Sequence, residues 1–377
     1  RTIQDFGSEE VNNEKNRSTL DGISVQLFTD LAFAGGEGGV TWGAEYYTDT
    51  VDSSRSVTDL GNGTVTRVRG RFPDGSTMDS AAVYASLAWR KDDVSLHGGL
   101  RYSRFDISLP AEGESPAADL SPDDLTGDLR LEWTLTDRLN FVANVGRGFR
   151  PPNIFDLGTL GPRPGNRFNI PNPKLGPETL WGYDFGFKTR GDTWQAEIYF
   201  FYSDYDDKIG SRDTGELTES GRIIVQSDNI NSAELYGIES GIRGYLRDGL
   251  EVYGVLNVMR GEETEADGST VPGDRIPPLN GRAGLVWNLR DDLRLEPFLL
   301  FAGDQDRLSP RDMSDPRINP MGTPGWGTLN LLAAWQATEQ LEIGLRLENL
   351  GDSGYREHGS GIDAPGLNVG LWMSFQL

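Results

Sequence analysis

The sequence predicts an all-β chain folded as an antiparallel meander, and three observations carry the prediction. Apolar and polar residues alternate with a period of two in segments that recur about every 10 to 12 residues, while helical periodicity is almost absent. Glycine supplies 48 of 377 residues, aromatics 10 % and hydrophobic residues only 36 %, as strands that are apolar on one face require. The connections between the segments alternate between short and long.

Taken in order, strands are expected near 21–29, 39–49, 80–90, 94–105, 126–136, 139–149, 179–189, 193–206, 233–245, 250–260, 280–289, 293–302, 327–336, 341–349 and 367–377. In "LTGDLRLEWTL", Leu129, Leu131, Trp133 and Leu135 share one face, against Asp128, Arg130, Glu132 and Thr134. "DTWQAEIYFFY" sets Trp194, Ala196, Ile198, Phe200 and Tyr202 against Gln195 and Glu197. "LEIGLRLENL" sets Leu341, Ile343, Leu345 and Leu347 against Glu342, Gly344, Arg346 and Glu348. The last segment alternates through Leu367, Val369, Leu371, Met373, Phe375 and Leu377.

Short connections stand at 91 ("KDD"), 136 ("TD"), 190 ("RGD"), 247 ("RDG"), 290 ("RDD") and 337 ("ATEQ"). Long ones fall near 50–79, 106–125, 150–178, 207–232, 261–279, 303–326 and 350–366, all at the opposite strand ends. Compact soluble domains rarely carry unstructured loops of that length. A meander with short turns at one end and long loops at the other describes a transmembrane β-barrel of the outer-membrane type, apolar face to lipid and polar face to the lumen. Propeller blades, the soluble rival, repeat near 40 to 50 residues without this parity. If the short turns are periplasmic, residues 7–20 form an extracellular loop and "RTIQDF" is the tail of an incoming strand. That makes about 15–16 strands and reads the chain, 1–377, as the C-terminal portion of a barrel domain.

The net charge of −23 argues against nucleic acid as a partner. With no cysteine there is neither a disulfide framework nor a thiolate metal site. No apolar stretch approaches the roughly 18 residues of a membrane helix.

Three separated segments resemble those of TonB-dependent outer-membrane receptors. "GRGFRPPNIFDL" resembles the family's Phe-Arg-Ala-Pro, through Phe149, Arg150 and Pro152, with Pro151 in place of Ala. "NPKLGPET" resembles Asn-Pro-x-Leu-x-Pro-Glu, through Asn172, Pro173, Leu175, Pro177 and Glu178. "ENLGDSGYREHGSGIDAPGLN" resembles the C-terminal Glu-Asn-Leu-x-Asp-x-x-Tyr segment, through Glu348, Asn349, Leu350, Asp352 and Tyr355. Its closing Pro-Gly-Arg-Asn is matched by Pro365, Gly366 and Asn368, with Leu367 in place of Arg. The resemblance implies a barrel of about 22 strands, an N-terminal plug and energised uptake of a chelated nutrient, most of all a ferric siderophore. The partners it implies are the chelate, outer-membrane lipid, the receptor's own plug and the inner-membrane TonB complex. The plug, its energy-coupling box and the first strands are not in this chain. A passive porin is the alternative from another class, and haem or cobalamin the alternative ligands.

Ligand capture is expected in the long loops, where arginines and aromatics clamp a bulky anion. The candidates are Arg150, Arg163, Arg167 and Phe168 in 150–178, with Arg307, Arg311, Arg317 and Trp326 in 303–326. Within 150–178 the stretch "GPRPGNRF" is preferred for contact, and the prolines 171, 173 and 177 are read as anchoring the loop to the wall. In the family this chain resembles, haem binding commonly uses a histidine between the Phe-Arg and Asn-Pro segments; none lies there, so the resemblance implies siderophores ahead of haem. Neither enzyme chemistry nor a cofactor is expected. His97 is placed on the polar face of its strand and His358 is taken as a solvated loop residue. The acidic groups Glu9, Glu10 and Glu14, Asp204, Asp206 and Asp207, Glu262, Glu263 and Glu265, and Asp304 and Asp306 are read as solvated loops. None has the spacing of a calcium loop.

Overall fold

The computed structural model describes residues 2–3, 10–113, 115–163, 166–265 and 268–376. The chain opens with β1 (Thr2–Ile3) and β2 (Glu10–Phe33), then turns over Ala34 and Gly35 into β3 (Gly36–Asp59). Both turn residues have positive φ, 53° and 74°, as the two-residue hairpin turn that matches strand twist requires. Next come β4 (Val65–Val68), β5 (Ser76–Lys91), β6 (Val94–Leu109), β7 (Ala118–Leu120), β8 (Asp123–Thr136) and β9 (Leu139–Arg150). A loop carrying α1 (Ile154–Gly158), β10 (Gly161–Arg163) and β11 (Arg167–Ile170) leads to β12 (Glu178–Arg190), β13 (Trp194–Leu217) and β14 (Ile223–Arg247). The remainder runs β15 (Leu250–Thr264), β16 (Thr270–Pro272), β17 (Asn280–Arg290), β18 (Leu293–Ala302), α2 (Pro310–Ser314), β19 (Trp326–Gln336), β20 (Leu341–Glu348) and β21 (Asn368–Phe375).

Each expected strand is present, and the boundaries agree best at the short turns: β6, β9, β15, β18 and β20 begin at the expected residue. At the long-loop ends the strands run further. β2 starts at Glu10, so residues 10–20, expected as loop, pair with β3 from Glu10↔Asp59 onward; this corrects that expectation. The expected strand tail at 2–3 pairs with Asn12 and Asn13, while residues 4–9, including Glu9, and the terminal Leu377 lie outside the described residues. Likewise β13 and β14 leave only residues 218–222 between them. The reason is chemical: beyond the apolar zone these ladders pair polar with polar, as in Arg17↔Asp52 and Asn13↔Ser56. Backbone hydrogen bonds carry them, so no apolar alternation betrays them. The acidic groups at 204–207 and 262–263 therefore sit on β13 and β15 rather than in loops.

The contacts divide the chain into two compact units, residues 1–130, 145–181 and 205–232 in one, and 131–144, 182–204 and 233–377 in the other. In the first, Leu27, Trp42, Ala85 and Leu100 are successive cross-strand partners on one sheet face. In the second, Leu250, Trp287, Leu295, Ala333, Leu345 and Leu371 form such a row across six strands. These side chains are not core: Leu100 is 62 % and Leu371 76 % exposed. A soluble monomer rarely exposes so large an apolar surface. Among the described residues no helix is long and apolar enough to cross a membrane, which leaves crossing by strands untouched.

The opposite face is polar and internally paired. Arg101 bonds Glu45 across β3, β5 and β6. Arg282 donates to Glu296 (2.7 Å) and to the Tyr253 hydroxyl (2.8 Å), and lies 3.9 Å over the Phe298 ring. Gly284 makes room, since a Cβ there would stand 2.7 Å from the Tyr253 hydroxyl. The first unit also holds a small apolar core at its loop end: Ile154 and Leu157 of α1 with Leu175, Val51, Ile107, Leu109 and Ala118. Leu157 and Leu175, 1 % and 2 % exposed, each contribute about 1.5–3 kcal/mol by burial.

Candidate ligand-binding loops and the clamps that hold them

Loop 150–178 of the first unit is closed by one guanidinium. Arg150 Nε and Nη2 donate to the two oxygens of Glu178 (2.6 and 3.3 Å), and Nη1 donates to Asp156 (2.7 Å). Glu178 also accepts the Ile209 N–H at 2.5 Å. Between these ends Asn153 caps α1 in a reciprocal box with Asp156. Pro152 is fully buried, and Phe149 lies 6.1 Å from Phe105, which packs against the apolar core.

The descending limb is fastened to β14. β11 pairs with it in parallel, Arg167↔Ile223 to Ile170↔Gln226. The Pro171 carbonyl accepts from Gln226 Nε2 (2.6 Å), and Asn172 Nδ2 donates to the Ser227 carbonyl (2.9 Å). Gly176 N–H donates to Asn229 Oδ1 (2.9 Å), whose Nδ2 donates back to the Gly176 carbonyl (3.1 Å). Pro173 and Pro177 are half-buried between these bonds and have no N–H in need of a partner. The Phe-Arg and Asn-Pro segments are thus two sides of one clamp.

A second clamp closes loop 349–367 in the second unit. Asn349 adopts φ +50°, a left-handed conformation that Asn tolerates. Its N–H donates to Asn330 Oδ1 (2.9 Å), and its Nδ2 donates to the carbonyls of Ser353 (2.8 Å) and Pro365 (3.2 Å). The Leu350 N–H donates to the Leu329 carbonyl at 2.9 Å. Asp352 accepts the Leu367 N–H (3.0 Å), and a Cβ on Gly366 would stand 2.2 Å from that carboxylate, so a side chain at 366 would displace it. Asn368 Nδ2 donates to Glu348 (3.0 Å), and the Tyr355 ring packs at a tilt of 32° against Trp326, 4.2 Å between centroids.

A buried charge cluster ties this loop to its neighbours in the same unit. Arg275 Nη2 bonds Asp315 (2.5 Å) and its Nη1 donates to the Gly359 carbonyl (2.7 Å), while Arg317 donates to both Asp315 oxygens (2.9 and 2.7 Å). The Arg317 hydrogen bonds hold the Asp315 carboxyl well below the usual carboxylate range against the opposing effect of burial. Burial would raise Asp312, but the neighbouring His358 and hydrogen bonds with the Arg275 N–H and Ser309 outweigh it and lower its pKa. Burial raises Asp274 despite its ion pair with Arg311. His358 is not a solvated loop residue: its side chain is 3 % exposed, with Nδ1 2.9 Å from the Thr323 hydroxyl and Nε2 3.8 Å from Asp312. The loop folds back onto α2, where His358 and Asp312 are buried side by side. His97 lies on the polar face as expected, half-exposed and 3.4 Å from Asp128.

The candidate ligand residues are largely engaged in this scaffold. Arg150 is the loop clamp, and Arg167 is buried at the start of β11. Arg163 Nη1 lies 3.5 Å from Asn169 Oδ1 and 3.4 Å from Ser211 Oγ, with Phe168 half-buried nearby. Arg307 bonds Glu262 (2.9 Å), Arg311 bonds Asp274, and Trp326 is packed against Tyr355. Two residues of "GPRPGNRF", 164 and 165, lie outside the described residues. Sequence reading gave no ligand role to the four arginines of 50–79, three of which are bonded within the loops. Arg55 bonds Asn12 Oδ1, Arg69 the Gly158 carbonyl and Arg71 the Pro162 carbonyl. The available signal was the alternation of arginine at 67, 69 and 71.

Residues 2–350 match the family described as TonB dependent receptor-like, beta-barrel. A ferric enterobactin receptor of Pseudomonas aeruginosa is 23 % identical over 366 residues, covering 87 % of this chain and 46 % of that protein. A pesticin receptor of Yersinia enterocolitica is 26 % identical over 297 residues, covering 75 % of this chain and 41 % of that protein. Among solved structures, the copper transporter OprC superposes with a TM-score of 0.78 at 19 % identity, over 97 % of this chain and 57 % of that one. At that identity the likeness shows the fold alone, and the chain spans about half the length of the curated relatives it matches. On the family match over residues 2–350, the chain belongs to the TonB dependent receptor-like β-barrel family.

Proposed function

We propose that the chain is the C-terminal part of an outer-membrane receptor for energised uptake of a chelated nutrient, with a ferric siderophore as the ligand. The observation that carries this reading is the family match, joined to long loops held by built clamps at one end of strands whose apolar face is exposed. Relatives named as receptors for ferric enterobactin and pesticin support it. In this reading the exposed apolar rows meet outer-membrane lipid and the paired polar face lines the lumen around the receptor's own plug. The inner-membrane TonB complex drives transport through that plug. Arg163 and Phe168 are the proposed contacts of the 150–178 loop. Arg150 and Arg167 hold the loop surface of the first unit, and Arg307, Arg311 and Trp326 that of the second, each taken by itself as a surface for the ligand. No covalent chemistry is assigned to the barrel.

The test is uptake of radiolabelled iron by cells carrying the full-length receptor as their only route for ferric siderophores. The expected result is accumulation that stops when the proton-motive force is collapsed. Accumulation of small solutes at a rate indifferent to that force would instead identify a passive pore.

A further inference from the structure

We propose that Arg55, Arg69 and Arg71 form an oxyanion-selecting site on the loops of the first unit, taking the carboxylate or phosphate groups of a small polyanionic ligand. The proposal rests on the receptor reading for its setting, but its evidence is separate. Other arginines of this unit lie against carboxylates: Arg150 on Glu178 and Asp156, Arg147 on Asp124, Arg212 on Asp228. Among the described residues, Arg55, Arg69 and Arg71 form no ion pair, in a chain of net charge −23. Their bonds go to neutral oxygens. Arg55 Nε and Nη2 both donate to Asn12 Oδ1 (3.2 and 2.9 Å). Arg69 Nη2 donates to the Gly158 carbonyl (2.6 Å), and Arg71 Nη2 to the Pro162 carbonyl (3.1 Å).

The three guanidinium groups converge on the five-residue stretch 158–162. Arg55 Nη1 is left over by the Asn12 bonds, and it is the nearest atom, at 3.9 Å, to a Cβ built on Gly161. Gly161 itself has φ +125°, a conformation that admits glycine, so the backbone there is bare and open beside the charge. Arg69 Nε and Nη1 are shielded from solvent with no hydrogen-bond partner, so this guanidinium supplies unneutralised charge behind the stretch, while the ligand-facing donors are those of Arg55 and Arg71. Burial lowers the Arg69 pKa, against the smaller opposing effect of Glu112, whose carboxylate is itself engaged by the Asp74 N–H (3.1 Å). Unmatched guanidinium donors fixed around an open backbone are complementary to planar oxyanions, which accept two parallel N–H bonds. A neutral chelate would leave those donors unmet.

Equilibrium binding to the purified full-length receptor tests this with three probes: ferric citrate, inorganic pyrophosphate and an uncharged ferric trihydroxamate. Ferric citrate is expected to bind in competition with pyrophosphate and more weakly as salt rises. Arg55→Gln with Arg71→Gln is expected to weaken it by roughly tenfold or more, beyond the small drop in melting temperature that loss of the Asn12 and Pro162 bonds causes. Arg71→Lys is expected to recover only part of the loss. Pyrophosphate binding without ferric citrate binding would keep the oxyanion site and assign it to phosphate. Binding of the neutral trihydroxamate alone, or equal loss of all probes in the double variant, overturns the site while leaving the receptor reading intact. Failure of every iron chelate to bind and be taken up would sink the receptor reading. The arginine site would then be judged on pyrophosphate alone.

Discussion

Arg150 shows how little of a side chain's role follows from its type. As an arginine in a long loop it is a natural ligand clamp, yet its donors go to Glu178, 28 residues on, and to Asp156. Arg307 and Arg311 are likewise engaged by Glu262 and Asp274, 45 and 37 residues away. Partners that distant leave no mark on a local pattern. Arg150→Gln should therefore act on loop order first. With Arg150 partly exposed, the loss is about 1–3 kcal/mol, below that of a fully buried pair. Limited proteolysis should cut within 151–177 faster than in the parent, and unchanged cleavage there would count against the clamp. Asp315 gives a second test. Its folded pKa lies below the ordinary carboxylate value of about 3.9, so its contribution is present above that value and is lost as pH falls through the lowered one. Replacing Asp315 by Asn should weaken the α2 loop at neutral pH, and the difference from the parent should shrink as pH falls from about 5 to below 3. A difference independent of pH would refute the assignment.

Strands and turns were legible where two requirements coincide and obscure where only one acts. At the short turns, Asp, Gly and Arg punctuation meets an apolar ladder, so β18 and β20 begin where expected, at Leu293 and Leu341. At the long-loop ends only backbone pairing remains, and β2 and β13 run past their apolar alternation by about ten residues. The clamps were legible as motifs but not as partners: nothing in "NPKLGPET" announces that its Glu178 belongs to Arg150. One element-scale prediction follows from the two sheet faces. Leu345, in the row from Leu250 to Leu371, should not tolerate arginine. At mid-depth in lipid the change costs about 2–4 kcal/mol. Its neighbour Arg346, on the opposite face, should accept glutamine with little effect. Chemical denaturation of the receptor in lipid vesicles checks the contrast; equal effects at 345 and 346 would contradict the lipid-facing assignment.

At the scale of the whole molecule, charge sets a conflict between approach and capture. The chain carries −23, so its long-range field repels an anionic chelate. Arg55, Arg69 and Arg71 attract it only at contact, because half-buried guanidinium groups with neutral partners present charge over a few ångströms. Salt screens the two differently. The Debye length is about 10 Å at 0.1 M, so added salt removes much of the distant repulsion before it disrupts bidentate bonds. For ferric citrate, stopped-flow measurements between low and physiological ionic strength should show association accelerating as salt rises. The dissociation rate should rise as well, enough to weaken equilibrium binding. An uncharged trihydroxamate should show neither dependence. If association of the anion slowed with salt, approach would be governed by a positive local field that reaches well beyond the three arginines. The capturing surface would then have to be larger than Gly158–Pro162 and its neighbours.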